Sequence, residues 1–199
     1  MLTDTRINAA LDAITPTSGA SNIKLSVHDA YSATGANLIS GPAKTAGTLN
    51  AASGRSRALN AAVDIASIPA AAVVRWIGMW DGTTDTTFLG MWPNGGSDMP
   101  FQVDLTNNRI YCEGHGMANG DKCTFHNGTP PTGLTAGTEY FVVGVTAGDP
   151  DYFQVEATSG GGAIDITGQA GAACRVAKLV PETYASGGTH RVSTLTVAL

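Results

Sequence analysis

The chain has 199 residues, and its 11 Lys and Arg against 16 Asp and Glu give a formal net charge of −5 at pH 7. Hydrophobic residues make up 43% of the chain and charged residues only 14%, so a sizeable core can be buried and disorder is excluded. The few cations are scattered, which excludes a protein that holds nucleic acid by its charge. No apolar run approaches the roughly 18 residues that cross a bilayer, so no membrane partner is expected.

The N-terminal segment has the periodicity of a helix. Its first residues, MLTDTR, lack the charged-then-apolar layout of a signal peptide, so we expect assembly in a cytoplasm. Over residues 2–14 one helical face carries the apolar side chains of Leu2, Ile7, Ala10, Leu11 and Ile14. Pro16 and Gly19 then end the helix.

Strands are predicted after the helix. Apolar and polar residues alternate over 22–28, which predicts a strand with one wet face. Residues 29–60 are rich in small and polar residues and favour short strands and long loops. The segment 73–80 is hydrophobic on both faces, as in a strand that is buried on both sides. Asp81-Gly82 indicates a turn, so 86–92 is expected to return as the second strand of a hairpin at the centre of a sheet.

The composition changes after residues 93–96, PNGG. From there short strands are predicted with turn signals between them, at Phe101–Leu105, Arg109–Glu113, Lys122–His126, Glu139–Val145, Tyr152–Ala157, Ala163–Ile166 and Cys174–Lys178. Regular short strands without a helix are typical of a small antiparallel barrel or sandwich. At the C-terminus the alternation of Leu195, Val197 and Leu199 predicts another half-buried strand.

The cysteines allow three interpretations. They are three in number, which is too few for a disulfide scaffold. Cys112-x-x-His115 and Cys123-x-x-His126 repeat a spacing found in zinc sites, but strand residues three apart point to opposite faces, which argues against a metal. A symmetric hairpin would instead place Cys112 opposite Cys123, within reach of a disulfide. Buried reduced thiols are the third interpretation, favoured by a reducing cytoplasm.

Large apolar side chains cluster on the two central strands: Trp76, Met79, Trp80, Phe88, Met91 and Trp92. We expect them to pack in the core, with a sugar-binding or partner-docking platform as the alternative. Trp92, which precedes the PNGG turn, is expected nearest to the surface and is the candidate aromatic contact. His28-Asp29 is interpreted as a strand end rather than a catalytic dyad. Because no nucleophile elbow, zinc-protease motif or phosphate loop is present, no catalytic, cofactor-binding or metal-binding residue is predicted, and the chain is not expected to be an enzyme.

Several pieces of the sequence resemble small structural proteins of tailed bacteriophages, of the tail fibre or minor tail type. The first is the strand Leu25–His28 followed by Gly35-Ala36-Asn37. The second is the aromatic pattern Trp76–Asp81 followed by Phe88-Leu89-Gly90, and the third is the closing segment that begins with PETY at Pro181. The segments GHGMANGDKCTF, GLTAGTEYFVV and YFQVEATSGGGAIDIT are similar to a β-repeat module of phage tail proteins.

Together these features predict a mainly β protein with an inserted domain. Residues 1–98 and 179–199 are expected to form a discontinuous antiparallel β-sandwich with a short N-terminal helix. Residues 99–178 are expected to form the inserted small β-barrel or sandwich. Because the termini of a compact domain often lie close together, a loop of another domain can accept it.

The resemblance implies a structural subunit of a virion. Such a subunit would be tail-associated, would assemble in the host bacterial cytoplasm with other virion proteins, and would form a homo-oligomer of three- or six-fold symmetry without a cofactor. The low charge and abundant Ala, Gly and Thr suit surfaces that become buried between subunits. Two alternatives remain, a capsid decoration protein and a receptor-binding module that holds host glycans through exposed aromatic residues.

Overall fold

A computed structural model describes residues 3–13, 21–82 and 85–198, and over these ranges the protein is mainly β. The elements are α1 (Asp4–Ala13), β1 (Ser21–His28), β2 (Thr45–Leu49), β3 (Ser56–Ala58), β4 (Val63–Ile68), β5 (Val73–Val74), β6 (Trp76–Asp81), β7 (Phe88–Pro93), β8 (Asp98–Met99), β9 (Gln102–Asp104), β10 (Arg109–Tyr111), β11 (Lys122–His126), β12 (Glu139–Val143), β13 (Tyr152–Glu156), β14 (Arg175–Leu179), β15 (Glu182–Thr183), β16 (Gly188–Val192) and β17 (Thr196–Ala198). The strand pairs of the described residues are antiparallel, and none of the described sheets closes into a barrel. The predicted fold class is therefore confirmed, and the arrangement is consistent with a β-sandwich.

The chain divides into two compact units, each with its own hydrophobic core. The first unit comprises Met1–Trp92 and Pro181–Leu199, and the second comprises Pro93–Val180. The core of the first unit is built around β1, β4 and β6, whereas the core of the second contains only side chains from the second unit. The boundaries expected from the sequence, at residues 98–99 and 178–179, lie close to these.

The first unit is organised around a four-stranded sheet of order β2-β1-β6-β7, with three further two-stranded pairings, β15-β5, β16-β4 and β17-β3. Every residue of β6 is buried, which confirms the prediction of a strand covered on both sides. The hairpin partner β7 lies at the edge of the sheet, so its expected central position is wrong. The expected wet face of β1 is also wrong, because Ser26 and His28 are buried together with the alternating Ile23, Leu25 and Val27.

The aromatic cluster packs into this unit. Trp76, Met79, Trp80 and Met91 are buried, while Phe88 and Trp92 are half-buried. Trp92 lies against the hydrophobic core, and its ring covers Gly90, where an added Cβ would be 2.7 Å from Trp92 Cη2. The structure thus gives Trp92 a packing role and leaves its ring partly covered.

Helix α1 is held by polar contacts rather than by an apolar stripe. Of the predicted stripe only Leu11 is buried, and Leu2 and Ile14 lie outside the described residues. Asn8 Oδ1 and Asp12 Oδ1 accept hydrogen bonds from the backbone N–H groups of Arg55 and Ala52, at 3.0 and 2.9 Å. The buried Arg57 donates to the Leu11 carbonyl at the end of the helix, where a cation also complements the helix dipole.

The second unit is one seven-stranded sheet of order β8-β14-β11-β12-β13-β10-β9. Its two edge strands, β8 and β9, are consecutive in the chain and are joined only by Pro100 and Phe101. Since successive Cα atoms are about 3.8 Å apart, the two edges must approach each other. The sheet therefore curls around its core, and a seam remains open between β8 and β9.

The C-terminal strand offers a test of the first core. Leu195 is 6% exposed and belongs to the core of the first unit, Val197 is half-buried, and Leu199 lies outside the described residues. We expect Leu195→Ala to lower the free energy of unfolding by about 2–5 kcal/mol, the range for truncation of a buried leucine. Urea denaturation measures it, and a loss below about 0.5 kcal/mol would place the side chain outside the core.

Candidate functional site

A buried serine–histidine pair lies in the middle of the first unit. His28 Nε2 is 2.7 Å from Ser26 Oγ, and His28 Nδ1 is 2.8 Å from the Ala36 carbonyl oxygen. Trp80 Nε1 donates to the same Ser26 hydroxyl at 2.7 Å. Because the carbonyl can only accept, Nδ1 carries the proton, and Nε2 accepts from the serine.

The strand geometry explains this network. Ser26 and His28 are two residues apart on β1, so their side chains project from the same face. In the register between β1 and β6, Ser26 lies opposite Gly78. A Cβ at position 78 would be 2.5 Å from His28 Nε2 and 2.7 Å from Ser26 Oγ, so only glycine leaves room for the pair.

The Ser26–His28 pair has the geometry of a nucleophile and its base, but it is sealed. His28 is 0% exposed and Ser26 is 2% exposed. Burial lowers the pKa of His28, which keeps the imidazole neutral. Since no substrate atom can reach the hydroxyl, the network acts as a satisfied polar element of the core. The sequence interpretation considered Asp29 as the partner of His28 and missed Ser26, although the Ser-x-His alternation on a strand was the available signal.

A second polar cluster joins Glu182, Tyr184 and His190. Tyr184 Oη lies 2.5 Å from Glu182 Oε1 and 2.9 Å from His190 Nδ1. His190 Nδ1 is also 3.2 Å from Glu182 Oε2, and the imidazole is 1% exposed. Burial raises the pKa of Tyr184, as does the Glu182 carboxylate, while burial lowers the pKa of His190. The cluster links β15 to β16 and keeps both rings neutral near pH 7.

The second unit has its own histidine contact at the start of the sheet. His126 Nε2 is 3.1 Å from Asp98 Oδ1, and Arg175 Nε is 3.2 Å from the same oxygen. Burial raises the pKa of Asp98, but the hydrogen bond and charge of His126 and the charge of Arg175 outweigh it, so the pKa lies below its usual value. These contacts tie β8 to β11 and β14 and fix the orientation of the Arg175 guanidinium.

The cysteine hairpin expected from the sequence does not form. Cys123 lies on β11, where its cross-strand neighbours are Tyr140 and Lys178, whereas Cys112 follows β10, which pairs with β9 and β13. The disulfide alternative, which places Cys112 opposite Cys123 in one hairpin, is therefore wrong, because a different strand order separates their strands. All three cysteines are free and buried, as the favoured interpretation of buried reduced thiols expects. Burial raises the pKa of the Cys112 thiol to about 11 and that of Cys123 further, so both stay protonated at neutral pH.

The histidines of the two Cys-x-x-His segments have other partners. His115 Nδ1 accepts the Met117 backbone N–H at 2.9 Å, and the ring edge packs on Phe153. His126 bonds to Asp98. Within residues 3–13, 21–82 and 85–198 no group of three or more His, Cys, Asp or Glu side chains is placed to hold a metal ion.

An open groove of about 510 Å³ lies in the second unit beside β9 and the residues that join β8 to β9. Its walls come from segments that are far apart in sequence: Pro100–Val103 on one side, and Asn127 with Gln169–Arg175 on the other. The lining residues include three with side-chain amides, Gln102, Asn127 and Gln169, together with Arg175 and Phe101. Sequence analysis missed this site because only the curling of the sheet brings the three segments together.

The buried histidines make the first unit sensitive to acid. Because the pKa values of His28 and His190 are lowered in the folded state, the unfolded chain binds protons more readily below its pKa of about 6.5. The stability that they contribute is present above pH 6.5 and is lost as the pH falls towards their folded pKa values, by up to about 1.4 kcal/mol per pH unit for each histidine. The carboxylate Asp85, whose pKa is also lowered, acts only in a more acidic range.

Urea unfolding at pH 7.5, 6 and 5, followed by tryptophan fluorescence, measures this effect. The urea midpoint should decrease as the pH is lowered from 7.5 to 5. The dependence of this midpoint on pH should be weaker in His28→Gln, which lacks one of the two buried imidazoles. A midpoint that is independent of pH over this range would contradict the assignment of buried neutral imidazoles.

No helix in the described part of the chain is long and apolar enough to cross a membrane. Comparison of the chain with protein-family models, with curated proteins and with solved structures gives no match.

Proposed function

We propose that the chain is a structural subunit of a tailed-phage virion, a tail-associated protein that acts by multimeric assembly with other virion proteins. The observation that carries the proposal is the place of the phage-like sequence pieces in the fold. Leu25–His28 lies in β1 and Trp76–Asp81 is β6, and these strands pair residue by residue in the central sheet of the first unit. These residues that carry the resemblance are therefore residues of the central sheet of the first unit.

The chemistry of the first unit supports the same proposal. Its two histidines, which could serve as general bases, make contacts inside the unit instead. His28 contacts Ser26 and Ala36, and His190 contacts Tyr184 and Glu182. Both imidazoles are nearly inaccessible. Such internal polar contacts give a core one defined arrangement, which a subunit that repeats in a lattice requires.

The test is to locate the chain in particles produced by a host that carries its gene. Gold-labelled antibodies should mark the tail, and chemical cross-linking within the particle should give ladders that end at three or six copies. Label spread over the head would instead favour the capsid decoration protein. Particles that contain no copy of the chain would overturn the proposal.

A further inference from the structure

The groove beside β9 in the second unit has the properties of a ligand site. Its volume of about 510 Å³ lies within the range of small-molecule sites, about 300–1,000 Å³. The wall at 169–174 is tied to the rest of the unit, because the Gly171 N–H donates to the Thr129 carbonyl and the Thr132 N–H to the Gly168 carbonyl. A groove with fixed walls loses little conformational entropy when a ligand binds.

Unused hydrogen-bonding groups line this groove. The side chains of Gln102 and Asn127 make no hydrogen bond within the described residues, and both are exposed. Gln169 donates through Nε2 to the Val103 carbonyl at 3.2 Å, which leaves its Oε1 as an acceptor. Each amide offers both donors and acceptors, and a hydroxyl group does the same, so the set matches a ligand that is dense in hydroxyls.

Two further residues of the groove, the apolar Phe101 and the charged Arg175, are held in place by contacts within the unit. The ring of Phe101 is held edge-on against the buried Phe125, with centroids 5.3 Å apart. Arg175 is held by Asp98, since Nε is 3.2 Å from Oδ1 and Nη2 donates to the Asp98 carbonyl at 3.1 Å. A fixed aromatic ring can pack against the apolar C–H face of a sugar ring, and the amides can bond to the hydroxyl groups at its edge.

The charge of the second unit selects among polar ligands. Residues 93–180 carry nine Asp and Glu against four Lys and Arg, so this unit holds the entire net charge of −5. The guanidinium in the groove is already neutralised by Asp98. A phosphate, a nucleic acid or an acidic sugar would therefore meet a repulsive field, whereas a neutral ligand would not.

An added peptide strand is disfavoured by the edge itself. β9 has only three residues, and the Gln169 side chain occupies the carbonyl of Val103 at its centre. A strand that paired there would have to displace this contact. We propose that the groove beside β9 is a binding site for neutral saccharides, recognised by the amides of Gln102, Asn127 and Gln169 and by the ring of Phe101. The site goes beyond the structural role proposed above, and its test uses the isolated chain, so either proposal can fail without the other.

The experiment is a titration of the ¹⁵N-labelled full chain followed by two-dimensional ¹⁵N–¹H NMR. The probes are neutral oligosaccharides built from glucose, galactose, mannose and N-acetylhexosamines, with sialyllactose as the acidic comparison and an unstructured peptide as the comparison for strand addition. At least one neutral sugar should shift the side-chain amide signals of Gln102, Asn127 and Gln169, and sialyllactose should shift them less than lactose does.

Two variants remove the groove amides without straining the backbone. Gln102→Leu keeps the side-chain volume, and Asn127→Gly suits the positive φ of 58° at this position. Each should weaken the binding roughly 3- to 10-fold, the effect of one neutral hydrogen bond. Asn60→Ala, which changes an exposed amide in the first unit, should leave the affinity unchanged. Failure of every neutral sugar to shift these amides, equal losses in Asn60→Ala, or shifts with the peptide alone would each overturn the proposal.

Discussion

Replacing Phe125 with alanine is expected to destabilise the second unit strongly while the first unit keeps its stability. Phe125 is 0% exposed and lies at the centre of the second core, where truncation of a phenylalanine costs about 3–5 kcal/mol. A unit of this size has a total stability of roughly 4–13 kcal/mol. The two cores share no residue, so the loss should stay within residues 93–180.

The chain contains a reporter that separates the two units. All three tryptophans, Trp76, Trp80 and Trp92, belong to the first unit. Fluorescence therefore follows the unfolding of the first unit, and far-UV circular dichroism follows both. Phe125→Ala should shift part of the dichroism transition and leave the fluorescence midpoint in place. The matched control is Leu25→Ala, another fully buried truncation, which should move the fluorescence midpoint.

The opposite result would reject the inserted-domain organisation. If the fluorescence midpoint falls by the same amount in Phe125→Ala as the dichroism midpoint, the chain unfolds as one cooperative block. The boundaries near residues 93 and 180 would then describe regions of a single domain.

Much of the fold could be predicted from the sequence, because its strongest signals are local. The apolar run of β6 and the alternation that marks β1 and β12 are consequences of side-chain periodicity. Strand order is not local, which explains the error at the cysteines. Cys112 and Cys123 lie on segments that follow each other in the chain, yet β11 pairs with β14, and the connection between β10 and β11 is not a hairpin.

The candidate site was less predictable for the same reason. Gln102, Asn127 and Gln169 carry no motif, and they meet only because the edges of a seven-stranded sheet approach each other. The burial of the polar face of β1 could not be predicted either, because polar residues at alternate positions of a strand normally indicate a face exposed to solvent. Ser26 and His28 break this rule because each satisfies the other in the core.

The second large effect is expected at Gly78. Its neighbour across the strand pair is Ser26, and β6 is buried along its whole length, so an added methyl group has no route to solvent. Gly78→Ala would place Cβ 2.5 Å from His28 Nε2, which must move and release Ser26. Overpacking costs about 1–3 kcal/mol and a buried polar group left without its partner about 1–3 kcal/mol, so we expect a loss of about 2–6 kcal/mol.

Urea unfolding followed by far-UV circular dichroism, which reports on both units, measures this loss, and Gly148→Ala is the control because a Cβ there meets no atom within 4 Å. A cost at Gly78 equal to that at Gly148 would show that the cavity around the Ser26–His28 pair is looser than described. A double-mutant cycle then identifies the cause. If the imidazole is what the methyl group strikes, Gly78→Ala should cost less in a chain that already carries His28→Ala, because that truncation removes the nearest atoms. If the cost is unchanged, it arises from the strand backbone, and the steric account of the network must be abandoned.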